Sequence, residues 1–176
     1  MKKKILLFPF LVFVLVLSIF FYLLLIERNP SKIPSNLINK SFPVFEAESL
    51  ITNKKVVSSD IFENKIILIN FFATWCKPCR DEHDFIMQLS NKKNLKIFGI
   101  NYKDNSKKTQ VWLEDLGNPY SDVLIDKNGK IAIDWGVYGI PETFIVNSKG
   151  IIKYRHTGPI TKKIYKKIYA LIEEAN

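Results

Sequence analysis

The clearest candidates for chemical reactivity in this sequence are two cysteines separated by two residues. Cys76 and Cys79 are the only cysteines among 176 residues, and they lie in the segment Trp75-Cys76-Lys77-Pro78-Cys79. At a helix start, free backbone N–H groups and the helix dipole favour a thiolate. We therefore predict thiol–disulfide exchange through a Cys76–Cys79 disulfide. Cys76 is the expected attacking thiolate and Cys79, one helical turn later, the resolving thiol.

Three other uses of a cysteine pair fit the sequence less well. A purely structural disulfide would close so small a loop that it would contribute only ~2 kcal/mol. A zinc site needs four ligands, and His83 and His156 are the only histidines. Haem attachment needs a histidine directly after the second cysteine, where this chain has Arg80. We predict no metal and no other cofactor.

Alternating strand and helix patterns surround the cysteine pair. An apolar run at 65–73 predicts a buried strand, and residues 77–90 predict a helix whose first turn tolerates Pro78. The 3-4-3 spacing of positions 79, 82, 86 and 89 predicts that Cys79 and Glu82 share the face of this helix turned to the sheet. Further patterns predict a short β segment at 42–57, strands at 95–102, 123–126, 143–147 and 151–154, and helices at 106–116 and from Thr161 to about Glu174. This order predicts an α/β domain with parallel strands first and an antiparallel hairpin last.

The N-terminal region has the pattern of a membrane anchor. Residues 5–26 contain no charge, and a helix of that length measures ~33 Å, enough to cross a bilayer. No small-x-small cleavage site follows, so we expect an uncleaved anchor rather than a cleaved signal. The predicted parts are a cytoplasmic tip (1–4), a transmembrane anchor (5–26), a tether (27–41) and a folded domain (42–176). Lysines in the tip favour a cytoplasmic N-terminus, which places the domain in an oxidising compartment.

The positive charge of the chain does not indicate nucleic-acid binding. Lys and Arg number 26 against 17 Asp and Glu, for a net charge of +9. Lysines between residues 162 and 167 alternate with Ile164, Ile168 and Leu171 at helical spacing. We interpret them as the solvated face of a helix and predict no nucleic-acid partner.

Three further segments make a family resemblance specific. In addition to residues 70–79, these segments are CRDE (79–82), GINYKD (99–104) and GVYGIPETF (136–144). In this order they resemble the DsbE/CcmG family, membrane-tethered thiol–disulfide interchange proteins of cytochrome c maturation. The likeness runs from about Ser41 to Gly158. It implies a thioredoxin-like fold, in which helices flank a central mixed sheet.

The resemblance also implies a function. The resemblance implies that the protein is a periplasmic reductase that one helix holds in the inner membrane. Its substrate would be the haem-binding cysteine pair of apocytochrome c. A membrane thiol-electron transporter would supply the electrons. Two alternatives stay open: a broader periplasmic dithiol reductase, such as those serving oxidase assembly or sporulation, and a module that binds apocytochrome without turnover.

The resemblance assigns roles to three residues beyond the cysteines. It implies that Pro141 is a cis-proline beside them and that Glu82 and Glu142 are acids near the disulfide. A carboxyl group on the sheet-facing side beside Cys79 should have a raised pKa and could take the proton of the resolving thiol. Thioredoxins usually have a buried Asp where this chain has Asn70, which favours Glu82 as the proton carrier. The alternatives are a helix-dipole acid for Glu82 and a solvated charge for Glu142.

The remaining candidates lie around the cysteines. Trp75 is expected to shield the disulfide and contact substrate, and Lys77 adds positive charge beside Cys76. Tyr138 is expected to pack rather than react. Residues 101–104 are equally compatible with a specificity loop and with a polar strand end.

Overall fold

The computed structural model describes residues 2–25, 36–61 and 65–174, with only the backbone described for residues 2–7. It divides into two units. The first holds helix α1 (Lys2–Leu25), whose segment Phe8–Leu25 is long and apolar enough to cross a membrane. Every described side chain of this helix is exposed, as expected of a helix that needs an apolar surrounding.

The second unit is an α/β domain. Its strands are β1 (Glu46–Ser49), β2 (Lys55–Val57), β3 (Ile66–Phe72), β4 (Leu95–Tyr102), β5 (Asp122–Asp126), β6 (Glu142–Val146) and β7 (Ile152–Thr157). Its helices are α2 (Lys77–Ser90), α3 (Ser106–Leu116), α4 (Lys130–Asp134) and α5 (Lys162–Glu174), with a 3-10 turn at Ser58–Ile61. The strands form one sheet in the order β2-β1-β5-β4-β3-β6-β7.

Strand directions confirm the predicted topology. β3, β4 and β5 are parallel, whereas β6 is antiparallel to both β3 and β7. The β1–β2 hairpin joins the sheet through an antiparallel pairing of β1 with β5. The domain therefore has the mixed sheet flanked by helices that the family resemblance implies.

The chain between β5 and β6 contains a helix that the sequence analysis missed. Helix α4 is only five residues long and follows Gly129, which has a left-handed φ of 74°. The carboxylate of Asp126 accepts hydrogen bonds from Ile131 N at 3.2 Å and Ala132 N at 2.9 Å. This capping from the end of β5 stabilises a segment too short for a periodic pattern.

The predicted tether also needs correction. Residues 36–41 belong to the folded unit, because Asn39 N donates to Ile152 O and Ile152 N donates to Lys40 O. Ser41 forms a β-bridge with Ile151, so this segment lies along the outer edge of β7. The rest of the predicted tether falls on residues 27–35, outside the described residues.

Strand β3 lies at the centre of the domain and is buried along its whole length. Its alternate residues face two apolar layers. Leu68 and Phe72 pack in the layer that contains α2 and α5, and Phe71 packs against Trp135 in the opposite layer. The sequence-predicted inner face of α2 is confirmed, since the side chains at 79, 82, 86 and 89 are all buried.

Gly99 lies in the middle of β4, where no side chain fits. A Cβ there would lie 2.7 Å from Cε1 of Phe72 and 3.1 Å from Cδ1 of Tyr120. We expect Gly99→Ala to lower the free energy of unfolding by about 1–3 kcal/mol, because overpacking forces both rings to move. Urea unfolding measures the change. Gly139→Ala is the control: its Cβ would meet no atom within 4 Å. Equal losses in both variants would contradict the steric explanation.

Candidate active site

Both cysteines lie where β3 ends and α2 begins. Cys76 is the N-cap of α2, and its Sγ accepts a hydrogen bond from Cys79 N at 3.2 Å. The two residues form a disulfide and are 5% and 2% exposed. A thiolate at Cys76 in the reduced protein would therefore receive the N–H groups of the first turn, as the sequence analysis expects. Lys77 and Pro78 occupy the first two helical positions and are exposed.

The loop before β6 completes the surroundings of the disulfide. The Ile140–Pro141 peptide bond is cis, as the family resemblance implies. The Ile140 carbonyl oxygen lies 3.7 Å from Cys76 Sγ. The structure therefore brings Pro141 beside the cysteine pair, although 62 residues or more separate them along the chain.

Glu82 is a buried carboxyl group one turn after Cys79. It is 1% exposed, and its two oxygens accept hydrogen bonds from Asn70 Nδ2 at 2.8 Å and Ile160 N at 2.7 Å. Burial raises the pKa of Glu82 to about 7, and these two hydrogen bonds oppose part of that shift. A surface acid serving only the helix dipole would not have this environment. At neutral pH the group can both accept and release a proton.

Glu142 directly follows Pro141 in the sequence, but its side chain does not lie on the side of the sheet that holds Glu82. Strand residues alternate between faces, and Thr143 faces Asn70 and the Glu82 side. Glu142 therefore faces the opposite side of the sheet. It is fully buried and forms an ion pair with Arg155 at 2.7 Å, so it is not a solvated charge. The structure does not bring the two acids together.

Arg155 is a residue that the sequence analysis missed. Its Nε donates to Glu142 Oε2 at 2.8 Å, and its Nη2 donates to the Gly136 carbonyl at 2.9 Å. Glu142 Oε1 in turn accepts from Tyr138 N at 2.9 Å. These bonds hold the 136–142 loop to β7. No local pattern reveals the pair, because it depends on the pairing of β6 with β7.

Burial also raises the pKa of Glu142, although the Tyr138 N–H and the charge of Arg155 lower it. Tyr138 was expected to pack, but it is 69% exposed. Its ring contacts the Arg155 guanidinium, whose carbon lies 4.9 Å from the ring centroid. Glu142 and Arg155 thus position the loop that carries Pro141.

A second loop holds Trp75. Asp104 accepts hydrogen bonds from the backbone N and the hydroxyl of Thr74, and Trp75 Nε1 donates to the Lys103 carbonyl at 3.3 Å. Burial raises the pKa of Asp104, but bonds from Thr74 and Asn105 outweigh it, so the net pKa is lowered and the group is ionised. Residues 101–104 therefore anchor the segment before Cys76. Trp75 itself is 60% exposed.

Comparison with known proteins agrees with this geometry. The Redoxin family model matches residues 37–170. The chain is 40% identical to the thiol:disulfide interchange protein DsbE of Vibrio cholerae, over 99% of this chain and 96% of that protein. It is 39% identical to the DsbE of Escherichia coli K12, over 94% and 91%. The chain belongs to the DsbE family of thiol:disulfide interchange proteins.

Solved structures support the same fold. A thiol:disulfide interchange protein of the thioredoxin family from Chlorobium tepidum matches with a TM-score of 0.63 and 23% identity, covering 77% of this chain and 94% of that one. A DsbF homologue from Corynebacterium diphtheriae matches with a TM-score of 0.69 and 20% identity, covering 84% and 96%. The domain is a thioredoxin-like fold, and this DsbE-family chain is a thiol–disulfide oxidoreductase.

The Arg155–Glu142 pair generates a stability prediction. Arg155→Ala would leave a buried carboxylate without its counter-charge, since the two side chains are 5% and 0% exposed. We expect the free energy of unfolding to fall by roughly 3–5 kcal/mol in urea at neutral pH. The double variant Arg155→Ala, Glu142→Gln should recover part of this loss because no buried charge remains. A loss below ~1 kcal/mol in the single variant would contradict the assigned role.

The raised pKa of Glu82 predicts the pH dependence of stability. The folded protein binds this proton more tightly than the unfolded chain, because the pKa rises from 4.5 to about 7 on folding. The free energy of unfolding should therefore fall as pH rises through that interval, by roughly 3 kcal/mol in all, and then level off. Urea titrations across this range measure it. Glu82→Gln should flatten the curve; an equally steep curve in that variant would assign the proton elsewhere.

Proposed function

We propose that this DsbE-family chain is a membrane-anchored reductase of the haem-binding cysteine pair of apocytochrome c. One observation carries the proposal: a helix N-terminus presents Cys76, and a buried acid titrating near pH 7 lies behind Cys79. Near-full-length likeness to DsbE proteins supports the same assignment. The specific substrate follows from the family resemblance drawn from the sequence.

The proposed reaction starts from the reduced chain. The Cys76 thiolate attacks one sulfur of the substrate disulfide, which forms a mixed disulfide and releases the other substrate sulfur as a thiolate. Cys79 then loses its proton to Glu82 and attacks Cys76 Sγ, which releases the second substrate sulfur as a thiolate. Two electrons pass to the substrate, and the chain ends as the Cys76–Cys79 disulfide. A membrane thiol-electron transporter would return two electrons to that disulfide.

Exposed aromatic residues support a peptide-binding role for the surface around Cys76. Trp75 and Tyr138 are 60% and 69% exposed; Trp75 Nε1 donates to the Lys103 carbonyl, and the Tyr138 ring lies against the Arg155 guanidinium. Rigid exposed rings contribute binding area with little loss of conformational entropy. A peptide docked between these loops would present its disulfide to Cys76 beside Pro141.

The proposed location follows from helix α1 together with the redox chemistry. We place α1 across the bacterial inner membrane with the domain in the periplasm. An oxidising compartment gives a dithiol reductase disulfide substrates to act on. The apolar helix segment at Phe8–Leu25 supports such an anchor.

The assigned cysteine roles predict the behaviour of trapping variants. Cys79→Ser removes the resolving thiol, so we expect stable mixed disulfides through Cys76. Non-reducing gels of cells that express the variant, followed by mass spectrometry, identify the trapped protein. Cys76→Ser is the matched control and should trap little, since Cys79 is buried. More adduct with Cys76→Ser than with Cys79→Ser would reverse the two roles.

The substrate assignment predicts a cellular phenotype. Deleting the gene should abolish holo-cytochromes c, and added small thiols should restore them because they reduce the same cysteine pair. Normal cytochrome levels without added thiols would favour a broader dithiol reductase. Full complementation by the double variant Cys76→Ser, Cys79→Ser would instead identify a non-catalytic binding module.

A further inference from the structure

A chain of buried hydrogen bonds leads away from Glu82 to a residue with no role in the family motifs described above. Asn70 Nδ2 donates to Glu82 Oε1 at 2.8 Å and to Thr143 Oγ1 at 3.2 Å. The Tyr120 hydroxyl donates to Asn70 Oδ1 at 2.9 Å. The four side chains come from α2, β3, β6 and the loop before β5, and 50 residues separate Tyr120 from Asn70.

The direction of the Asn70 amide matters for Glu82. An ionised carboxylate only accepts hydrogen bonds, so the amide must present its NH2 group to Glu82 and its oxygen to Tyr120. With the amide reversed, its oxygen would face the carboxylate, and ionised Glu82 would lose one of its two donors. A hydroxyl that donates to Asn70 Oδ1 favours the first orientation over the second.

The hydroxyl of Tyr120 is held in place by the packing of its ring. Tyr120 is 7% exposed, and its ring stacks on Phe72 with centroids 4.9 Å apart and planes at 20°. Gly99 leaves the space for these two rings. The backbone N of Tyr120 also donates to Asn118 Oδ1 at 3.0 Å. Ring stacking and this hydrogen bond therefore hold both the side chain and the backbone of Tyr120 in place.

We propose that Tyr120 is a positioning residue for the proton-carrying acid: its hydroxyl orients the Asn70 amide toward Glu82 and thereby stabilises the ionised carboxylate during exchange. The inference rests on the proton role given to Glu82 under the proposed function. Tyr120 acts through Asn70 and does not touch the reacting sulfurs.

Tyr120 serves as a donor and not as a second proton acceptor. Burial, with a smaller contribution from the charge of Glu82, holds the pKa of Tyr120 well above its usual value. The hydroxyl thus stays protonated across the range in which Glu82 titrates. Asn70 carries no titratable group, so Glu82 is the acid of this hydrogen-bond chain.

The test is the titration midpoint of Glu82 in Tyr120→Phe, a change that keeps the stacked ring and removes only the hydroxyl. The full chain is studied in detergent micelles with its disulfide intact, so that no thiol titrates, and its Glu carboxyl carbons are labelled for NMR. The Glu82 signal is assigned by its absence in Glu82→Gln. We expect the midpoint to rise by ~0.5–1 pH unit, the effect of weakening one neutral hydrogen bond.

Controls separate positioning from a general loosening of the fold. Tyr165→Phe removes a hydroxyl from a ring that packs on Phe85, and it should leave the Glu82 midpoint unchanged. The midpoint of Glu142, on the other face of the sheet, should also stay unchanged in Tyr120→Phe. An unshifted Glu82 midpoint in folded Tyr120→Phe would overturn the proposal.

A double variant tests the route through Asn70. In an Asn70→Ala background, Tyr120→Phe should add no further shift, because the amide that it orients is gone. Additive shifts would overturn the positioning role, since Tyr120 would then act on Glu82 directly. If Asn70→Ala fails to fold, Asn70→Ser, which also removes the amide, replaces it in this comparison.

Failure of this inference can be told from failure of the proposed function. The midpoint measurement involves no substrate and no thiol, so it tests Tyr120 alone. The function is tested by the rate at which Cys79 resolves a mixed disulfide, followed against pH in wild type, Tyr120→Phe and Glu82→Gln. An unchanged pH profile in Glu82→Gln would reject the proton role of the acid while leaving the midpoint shift intact.

Discussion

The Glu82 carboxyl group lies among apolar side chains and receives hydrogen bonds from Asn70 and Ile160. A buried carboxylate without donors would be strongly disfavoured, so these bonds tie α2 to β3 and to the segment before α5. The same bonds keep the group able to ionise near neutral pH. One buried group thus both fixes the helix that carries Cys76 and keeps a titratable carboxyl group on the buried face of α2 that includes Cys79.

The two acids of the family pattern divide between the faces of the sheet. Glu82 shares its face with Cys79 and titrates near neutrality, whereas Glu142 pairs with Arg155 and holds the loop that carries Pro141. An acid already bound to a guanidinium and a backbone N–H is poorly suited to carry a proton. The contacts of Glu142 are therefore those of a residue that holds the loop in place.

Local patterns in the sequence were sufficient for the reactive centre. The Cys-x-x-Cys spacing located the redox pair, and the spacing of positions 79, 82, 86 and 89 placed Glu82 on the buried face of α2. The order of strands and helices along the chain, apart from α4, also followed from alternating patterns, because each pattern reports on its own segment.

Those local patterns could not predict contacts between segments that are distant in the sequence. The Arg155–Glu142 pair depends on the register of β6 against β7, and the Tyr120–Asn70 bond joins residues 50 positions apart. Helix α4 depends on capping by Asp126 from the preceding strand. In each case the role of one residue becomes apparent only when the tertiary structure brings its partner into contact with it.

The segment at 39–42 that lies along β7 has a consequence for self-association. Exposed strand edges recruit edges of other molecules, so an uncovered edge of β7 would invite pairing with a second copy of the domain. Backbone groups of Asn39, Lys40 and Phe42 already occupy this rim of the sheet. The protein thus covers the Gly150–Ile152 end of this edge with its own backbone, which leaves less of β7 open to strand pairing with a second copy.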